Sequence, residues 1–250
     1  MTKLLVAETF FSQQSEGIST GVPAFFLRLA KCNLVCGGVN GSLVKSGKAT
    51  WYCDTIPVWS KGTERTFDEI YDEMVKFGII DWINTGRCHL VISGGEPTME
   101  MHQNNIIEFI KYLKSKGATS PYIEIETNGT NIIKDELFNL LTQINCSPKL
   151  SNSGMTYNVR IKPDVIKQIS THSNFQFKFV VNTEDNVKEC IDTIITPFNI
   201  SWKNIVLMPG VDSIDNLSEN TRTVFELGKK YGYRAITRSH VLAWNKLTGV

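Results

Sequence analysis

The sequence predicts an α/β fold, a barrel of repeated βα units with parallel strands or most of one. Its 250 residues with 42% apolar content are enough for one core of that size. After residue 60 the apolar period switches repeatedly between helix and strand. Short apolar runs separated by helices of about ten residues are the pattern of βα units feeding a parallel sheet.

The elements follow in order. Residues 24 to 29 form an apolar strand at the front. In Thr66 to Phe77 the residues Phe67, Ile70, Tyr71 and Met74 fall at helical spacing, and Thr66 with Glu69 makes a capping box. Residues 88 to 92 (CHLVI) read as a buried strand, and Ser93-Gly94-Gly95 as the turn that ends it. A helix over 103 to 116 puts Ile106, Phe109, Ile110 and Leu113 on one face. Beyond it the alternation predicts strand 122 to 126, helix 134 to 143, a strand near 146 to 150, helix 163 to 169 and strand 175 to 181. Helix 184 to 195, strand 204 to 208, helix 216 to 231 and strand 233 to 238 complete it. Residues 37 to 50 (GGVNGSLVKSGKAT) have no amphipathic period and read as an exposed inserted loop. The organisation expected is a single domain over 1 to 250 carrying that insertion.

Basic and acidic residues nearly balance, 26 against 25, which leaves no electrostatic footprint for nucleic acid or an anionic membrane surface. The apolar runs are short and the first residues lack a charged region followed by an apolar stretch, so a soluble cytoplasmic protein is expected. Six cysteines are too few for a disulfide scaffold, yet three of them crowd between residues 32 and 53. Cys190 shares an apolar helical face with Val187, Ile191 and Ile194, and Cys88 opens a strand, so both read as packing residues.

The crowded cysteines are spaced C-x3-C-x16-C as Cys32, Cys36 and Cys53. Three thiolates so placed can hold a 4Fe-4S cluster and leave one iron open. They can equally complete a structural zinc site with a histidine, His89 or His102. The spacing alone leaves both open.

Segments spread along the chain add a resemblance. They are Glu8-Thr9-Phe10-Phe11-Ser12-Gln13-Gln14-Ser15-Glu16-Gly17, Gly21 to Leu29, Cys32-Asn33-Leu34, Tyr52-Cys53-Asp54-Thr55, and Ser93-Gly94-Gly95-Glu96-Pro97. Glu126-Thr127-Asn128-Gly129-Thr130, Ser147-Pro148-Lys149, Lys178 to Val181 and Arg238-Ser239-His240-Val241 continue the series. Together they resemble the 7-carboxy-7-deazaguanine synthase family of radical S-adenosylmethionine (SAM) enzymes. The departures are Ser15 where that family has glycine, and an insertion of 14 residues between the second and third cysteines. Insertions of this kind are cheap, because closure entropy grows slowly with loop length.

The resemblance implies an incomplete TIM-like barrel of the radical SAM fold. It implies a lyase that contracts 6-carboxy-5,6,7,8-tetrahydropterin to 7-carboxy-7-deazaguanine with loss of ammonia, in queuosine-type biosynthesis. The implied cofactors are a 4Fe-4S cluster on Cys32, Cys36 and Cys53, SAM, and Mg2+ on Thr55. The implied SAM contacts are Tyr52, Asp54, Gly95, Glu96, Asn128, Ser147, Pro148 and Lys149. The implied substrate contacts are Gln13, Gln14, Ser15, Glu16, Arg28, Ser93 and His240, with Arg28 suited to a bidentate carboxylate grip. A flavodoxin- or ferredoxin-type reductant and a homodimer are implied as well. The tail ending Gly249-Val250 is a candidate to close over the substrate. Two other readings remain beside this one: a glycyl-radical activase acting on a protein, and an inactive binding module on the same fold.

Overall fold

The computed structural model describes residues 3–211 and 213–250. Nine strands among them form one open sheet: β1 (Lys3–Gln13), β2 (Pro23–Leu29), β3 (Thr63–Thr66), β4 (His89–Gly94), β5 (Ile123–Thr127), β6 (Gln143–Cys146), β7 (Phe175–Val180), β8 (Ile205–Met208) and β9 (Arg234–Ala235). Their order is β3-β1-β2-β4-β5-β6-β7-β8-β9. From β2 to β9 all neighbours are parallel, with Arg28 level with Ser93 across β2 and β4. The expectation of parallel strands fails at one edge, where β1 runs antiparallel to both β2 and β3. A short return through residues 14 to 22 joins β1 to β2, and a connection that short permits only antiparallel pairing.

Alternation along the strands separates two environments, both buried. Phe25, Leu27, Leu90, Ile92, Ile123, Ile125, Ile144, Phe177, Phe179, Ile205 and Leu207 belong to the main core with Ile106, Phe109 and Ile110 of helix Glu100–Ser115. The alternate residues face the concave side. There Phe10, Ala24, Phe26 and Val91 make a small apolar patch, Val206 and Met208 follow on β8, and many of the others are polar. Glu124, Gln143, Asn145, Gln176 and Lys178 are all buried. Such groups must find partners, and they do. Asn145 Nδ2 donates to Glu124 Oε2 (2.6 Å), Gln176 Nε2 donates to Asn145 Oδ1 (2.6 Å), and His89 pairs with Glu124.

Several boundaries differ from the sequence expectation for local reasons. The strand expected near 146 to 150 lies at 143–146, because Pro148 has no N–H to give a ladder. Helix 134 to 143 shrinks to Asp135–Leu140. Helix 184 to 195 becomes an α-helix Glu184–Cys190 continued by a π-helical turn Ile191–Ile195. The last strand keeps two residues, and Ser239–Trp244 is a short helix. The capping box holds: Thr66 Oγ1 accepts from Glu69 N (3.2 Å), and Glu69 Oε2 accepts from Thr66 N (2.7 Å).

The insertion 37 to 50 is largely exposed, as expected, but it is folded and anchored at its buried glycines and Ala49. It contains single helical turns at Val39–Gly41 and Ser42–Lys45, and Gly37, Gly38, Gly41 and Ala49 are buried. Gly37 N donates to Ser153 O (2.8 Å) and Thr50 N to Asn152 O (2.9 Å), which seats it on the turn after β6. Only glycine suits position 37: its φ is +77°, and a Cβ there would stand 2.3 Å from Tyr52 Cα.

The same close approach joins β4 to the cysteine segment. Gly95 N donates to Leu29 O (3.0 Å) and Glu96 N to Lys31 O (2.9 Å), and a Cβ on Gly95 would lie 1.9 Å from Lys31 O. Gly95→Ala therefore has to push backbone from backbone. We predict a loss of about 2–3 kcal/mol in urea unfolding, together with reduced iron content after cluster reconstitution, because Cys32 follows Lys31 directly.

Candidate active site

At the C-terminal ends of the parallel strands the chain encloses a cavity of about 400 Å³. Sites of α/β sheets form at this end because the strand termini and following loops converge there. Phe10, Phe26 and Arg28 line its floor, and Gln13–Glu16 one wall. The cysteine segment and residues 245–250 form further parts of the lining.

Cys32, Cys36 and Cys53 all face this cavity as free thiols. Cys53 N donates to Cys36 O (3.1 Å), which brings the third cysteine back beside the second after the insertion. Burial pushes the thiols of Cys32 and Cys36 up, to about 12 and about 11, and Cys53 adds to both. Ionising such a group takes a bound cation, and a metal cluster supplies it. Three thiols facing one cavity are a donor set that suits a cluster, whose thiolates bind separate irons. The histidines considered for zinc are committed elsewhere: His102 to Ala30 O (2.8 Å) and His89 to Glu124.

The loops after β4, β5 and β6 supply the next set. Gly95, Asn128, Ser147, Lys149, Tyr52 and Asp54 line the cavity, whereas Glu96 and Pro148 stand behind it. Glu96 is fully buried, and burial pushes its carboxyl up. It accepts from Thr98 N (2.9 Å), Thr98 Oγ1 (2.5 Å), Thr127 Oγ1 (2.7 Å) and Asn128 N (2.6 Å), so it ties the β4 loop to the β5 loop. Asn128 Nδ2 donates to Asn33 Oδ1 (2.9 Å), carrying that tie onward to the cysteine segment. Lys149 Nζ donates to Ser147 Oγ (3.1 Å). Thr55 Oγ1 lies 3.1 Å from Cys53 Sγ at the cavity wall.

Gln13, Gln14, Ser15, Glu16, Arg28, Ser93 and His240 also line the cavity. Arg28 pairs with Glu8 (2.6 Å) and lies over the ring of Phe10, which stacks on Phe26 with centroids 4.7 Å apart. Ser93 Oγ is buried and has no hydrogen-bond partner among the described residues, the mark of a hydroxyl awaiting a ligand. Gln14 is buried, its Nε2 donating to Glu126 Oε1 (3.0 Å) and its Oε1 accepting from Ser15 N (3.0 Å). The serine at 15 costs the loop nothing, because the left-handed turn falls on Gly17 (φ +76°).

Glu16 is the most heavily engaged group. Its Oε2 accepts from Lys178 Nζ (3.2 Å) and its Oε1 from Arg238 Nε (3.1 Å). Burial alone would raise its carboxyl, but these two cations hold it well below the usual range. Lys178 also pairs with Glu126 (2.9 Å), and Arg238 with Asp54 (3.2 Å). His240 sits in helix Ser239–Trp244, not in a strand, with Nδ1 2.7 Å from Ser15 Oγ. Burial first, and then the Arg238 charge, hold its imidazole down to about 4. Glu126, Lys178, Arg238 and Glu8 received no role from the sequence. Their signal was charge inside apolar strands, as in Ile123-Glu-Ile-Glu and Phe175-Gln-Phe-Lys.

An open, mostly parallel sheet with three free cysteines and a glycine pair at its C-terminal mouth is the arrangement that the sequence resemblance implies. No protein-family profile matches the chain. Relatives span nearly its whole length: 7-carboxy-7-deazaguanine synthase of Pyrobaculum aerophilum is 28% identical over 249 residues, covering 99% of this chain and 97% of the relative. The Clostridium acetobutylicum protein of that name is 29% identical over 253 residues, covering 96% of each. In fold, the crystal structure of QueE from Escherichia coli superposes with a TM-score of 0.63 at 20% identity, over 94% of this chain and 93% of that one. Over nearly its whole length the chain is thus similar to proteins named 7-carboxy-7-deazaguanine synthase.

Two predictions come from the buried groups. Glu96→Ala takes the shared acceptor from two amides and two hydroxyls, and we predict a loss of about 3 kcal/mol or more in chemical denaturation. Folded His240 resists protonation to about 4, whereas unfolded histidine takes its proton near 6.5. The unfolded chain binds more protons in that window, so the imidazole's contribution to stability, complete above about 6.5, is lost as pH falls toward 4. Thermal midpoints across this range fall less steeply in His240→Gln than in the unaltered protein.

Proposed function

We propose that the chain, as a single catalytic domain over residues 1–250, is a 7-carboxy-7-deazaguanine synthase. It converts 6-carboxy-5,6,7,8-tetrahydropterin to 7-carboxy-7-deazaguanine and ammonia. The reaction is redox-neutral overall, as the atoms of product and ammonia sum to those of the pterin. The observation that carries this reading is one cavity lined at once by three free cysteines, an arginine, an unpartnered buried serine hydroxyl and a stacked aromatic floor.

Cys32, Cys36 and Cys53 would hold a 4Fe-4S cluster, the Gly95, Asn128, Ser147 and Lys149 wall SAM, and Thr55 a magnesium ion completed by water and substrate oxygens. When bound, cluster and SAM supply one-electron chemistry that removes hydrogen from the pterin C6. The chain's own groups bind and orient. The Phe10–Phe26 stack presents a flat apolar floor for a planar ring. Arg28, one Nη already on Glu8, keeps its remaining N–H groups for the substrate carboxylate. Ser93 Oγ and His240 Nε2 offer polar contacts to the ring edge. Both carboxylate oxygens of Glu16 are occupied by Lys178 and Arg238, so its part is to fix the loop. The closing tail 245–250 limits access of water to the cavity.

A flavodoxin- or ferredoxin-type protein is the proposed electron donor, a homodimer the proposed assembly and the cytoplasm the proposed location. Among the described residues no helix is long and apolar enough to cross a membrane.

The test is anaerobic turnover with the carboxytetrahydropterin, SAM, magnesium and a reductant. We expect the deazaguanine product without stoichiometric loss of SAM; SAM consumption with no ring-contracted product would sink the assignment. The purified protein should be brown and bleach with dithionite, and Cys53→Ala should lose both colour and activity.

A further inference from the structure

The loop Gln13–Gly17 and the start of helix Ser239–Trp244 are stitched together more tightly than two cavity walls need to be. Arg238 Nε donates to Glu16 Oε1 (3.1 Å), Ser239 Oγ donates to Ser15 O (3.1 Å), and Ser15 Oγ lies 2.7 Å from His240 Nδ1. The loop is also braced from below, because Gln14 Oε1 caps the amides of Ser15 (3.0 Å) and Glu16 (3.3 Å). Ser15 is thus a side chain on a fixed backbone aimed at one nitrogen of a cavity histidine.

The direction of the Ser15–His240 bond follows from counting donors and acceptors. If imidazole Nδ1–H donated to Ser15 Oγ, the serine hydroxyl hydrogen would need a further acceptor, and none bonds Ser15 Oγ among the described residues. That direction would also leave the Nε2 lone pair without a partner among the described residues, whereas a hydroxyl donating to Nδ1 leaves a single unpaired group, the Nε2–H of a ring that lines the cavity. The hydrogen of a neutral imidazole then resides on Nε2. That nitrogen has no hydrogen-bond partner among the described residues, and His240 lines the cavity.

We propose that Ser15 is a positioning residue that sets the tautomer and rotation of His240, presenting Nε2–H to the cavity as a fixed donor for a ligand acceptor such as a heterocycle carbonyl or ring nitrogen. The charged groups around the ring agree with a neutral imidazole. Arg238 and Arg28 oppose its protonation, Glu16 and Asp54 favour it, and burial outweighs both carboxylates. A neutral histidine left unpinned would sample two tautomers, one of which turns a lone pair toward the same acceptor. Ser15 removes that alternative. The ligand part of this inference rests on the function proposed above; the tautomer part does not.

The test is imidazole nitrogen–proton correlation spectroscopy on full-length protein labelled with 15N at histidine. The chain has four histidines, and His89, His102 and His172 serve as internal folding controls. We expect His240 as a single Nε2–H tautomer, and a mixture of tautomers in Ser15→Ala with the other three rings unchanged. Ser15→Gly repeats the measurement without added bulk should the alanine variant fail to fold, and Ser15→Thr should restore the single tautomer. A proton on Nδ1 of His240 in the unaltered protein, or an unchanged ratio in the alanine and glycine variants, overturns the proposal. In turnover, Ser15→Ala should raise KM for the pterin about five- to tenfold with kcat within about twofold, the scale of one lost hydrogen bond. An unmoved KM beside a lost tautomer overturns the role in binding. Because the spectra need no substrate, absence of turnover in the unaltered protein would count against the proposed reaction and leave the Ser15–His240 result standing.

Discussion

Lys178 is the constraint on which the site depends. A fully buried ammonium is tolerable only if fixed carboxylates surround it, and Glu16 and Glu126 do so from two different elements. Each carboxylate then has a second duty. Glu126 takes the amide of Gln14, and Glu16 takes Arg238, which in turn reaches Asp54 beside the last cysteine. One lysine on β7 thereby fixes the loop after β1, the end of β5, the C-terminal segment and the cysteine segment in a common frame. Removing it would leave two partly buried carboxylates without the cation they share, so the charge pattern specifies the arrangement as much as it stabilises it.

Apart from the Phe10–Phe26 patch, the concave face is rich in polar groups, and this gives the molecule its division of labour. Beneath the cavity, Asn145 joins Glu124 to Gln176, and His89 completes the pairing. Above, the groups that line the cavity are held by neighbours one shell away: Asn128 by Asn33, Gly95 by the backbone of Leu29, and His240 by Ser15. Glu96 does this without touching the cavity, joining two strand ends through four accepted hydrogen bonds. The apolar core on the other face, running from Leu4 to Leu227, contributes the bulk of the folding energy and no chemistry.

Much of this was legible in the sequence. Helical period and the Thr66–Glu69 box located the helix Phe67–Lys76, and apolar runs located β4, β5, β7 and β8. The motif segments placed most of the cavity wall, because a strand end followed by Gly-Gly, Asn-Gly or Ser-Pro-Lys marks where backbone turns into a site. Where reading failed, a distant partner decided. The insertion 37 to 50 has no period of its own because its glycines and Ala49 pack on residues 152 to 154, a hundred positions away. β1 lies outside the alternation read from the sequence, and nothing local says that it runs antiparallel beside β2. His240 lies in a short helix whose six residues are too few for a period to show.

By itself the sequence determined the α/β class, most of the succession of elements after residue 66, the cysteine trio and the family resemblance, since each is written in local period or contiguous motif. Only the tertiary structure decided that Glu16 is spent on Lys178 and Arg238, that Glu96 stands behind the wall, and that Ser15 meets the ring of His240, 225 positions along the chain. These are pairings of buried polar atoms, and which partner a buried group takes is fixed by the geometry of closure, where every donor and acceptor cut off from water must be matched at once.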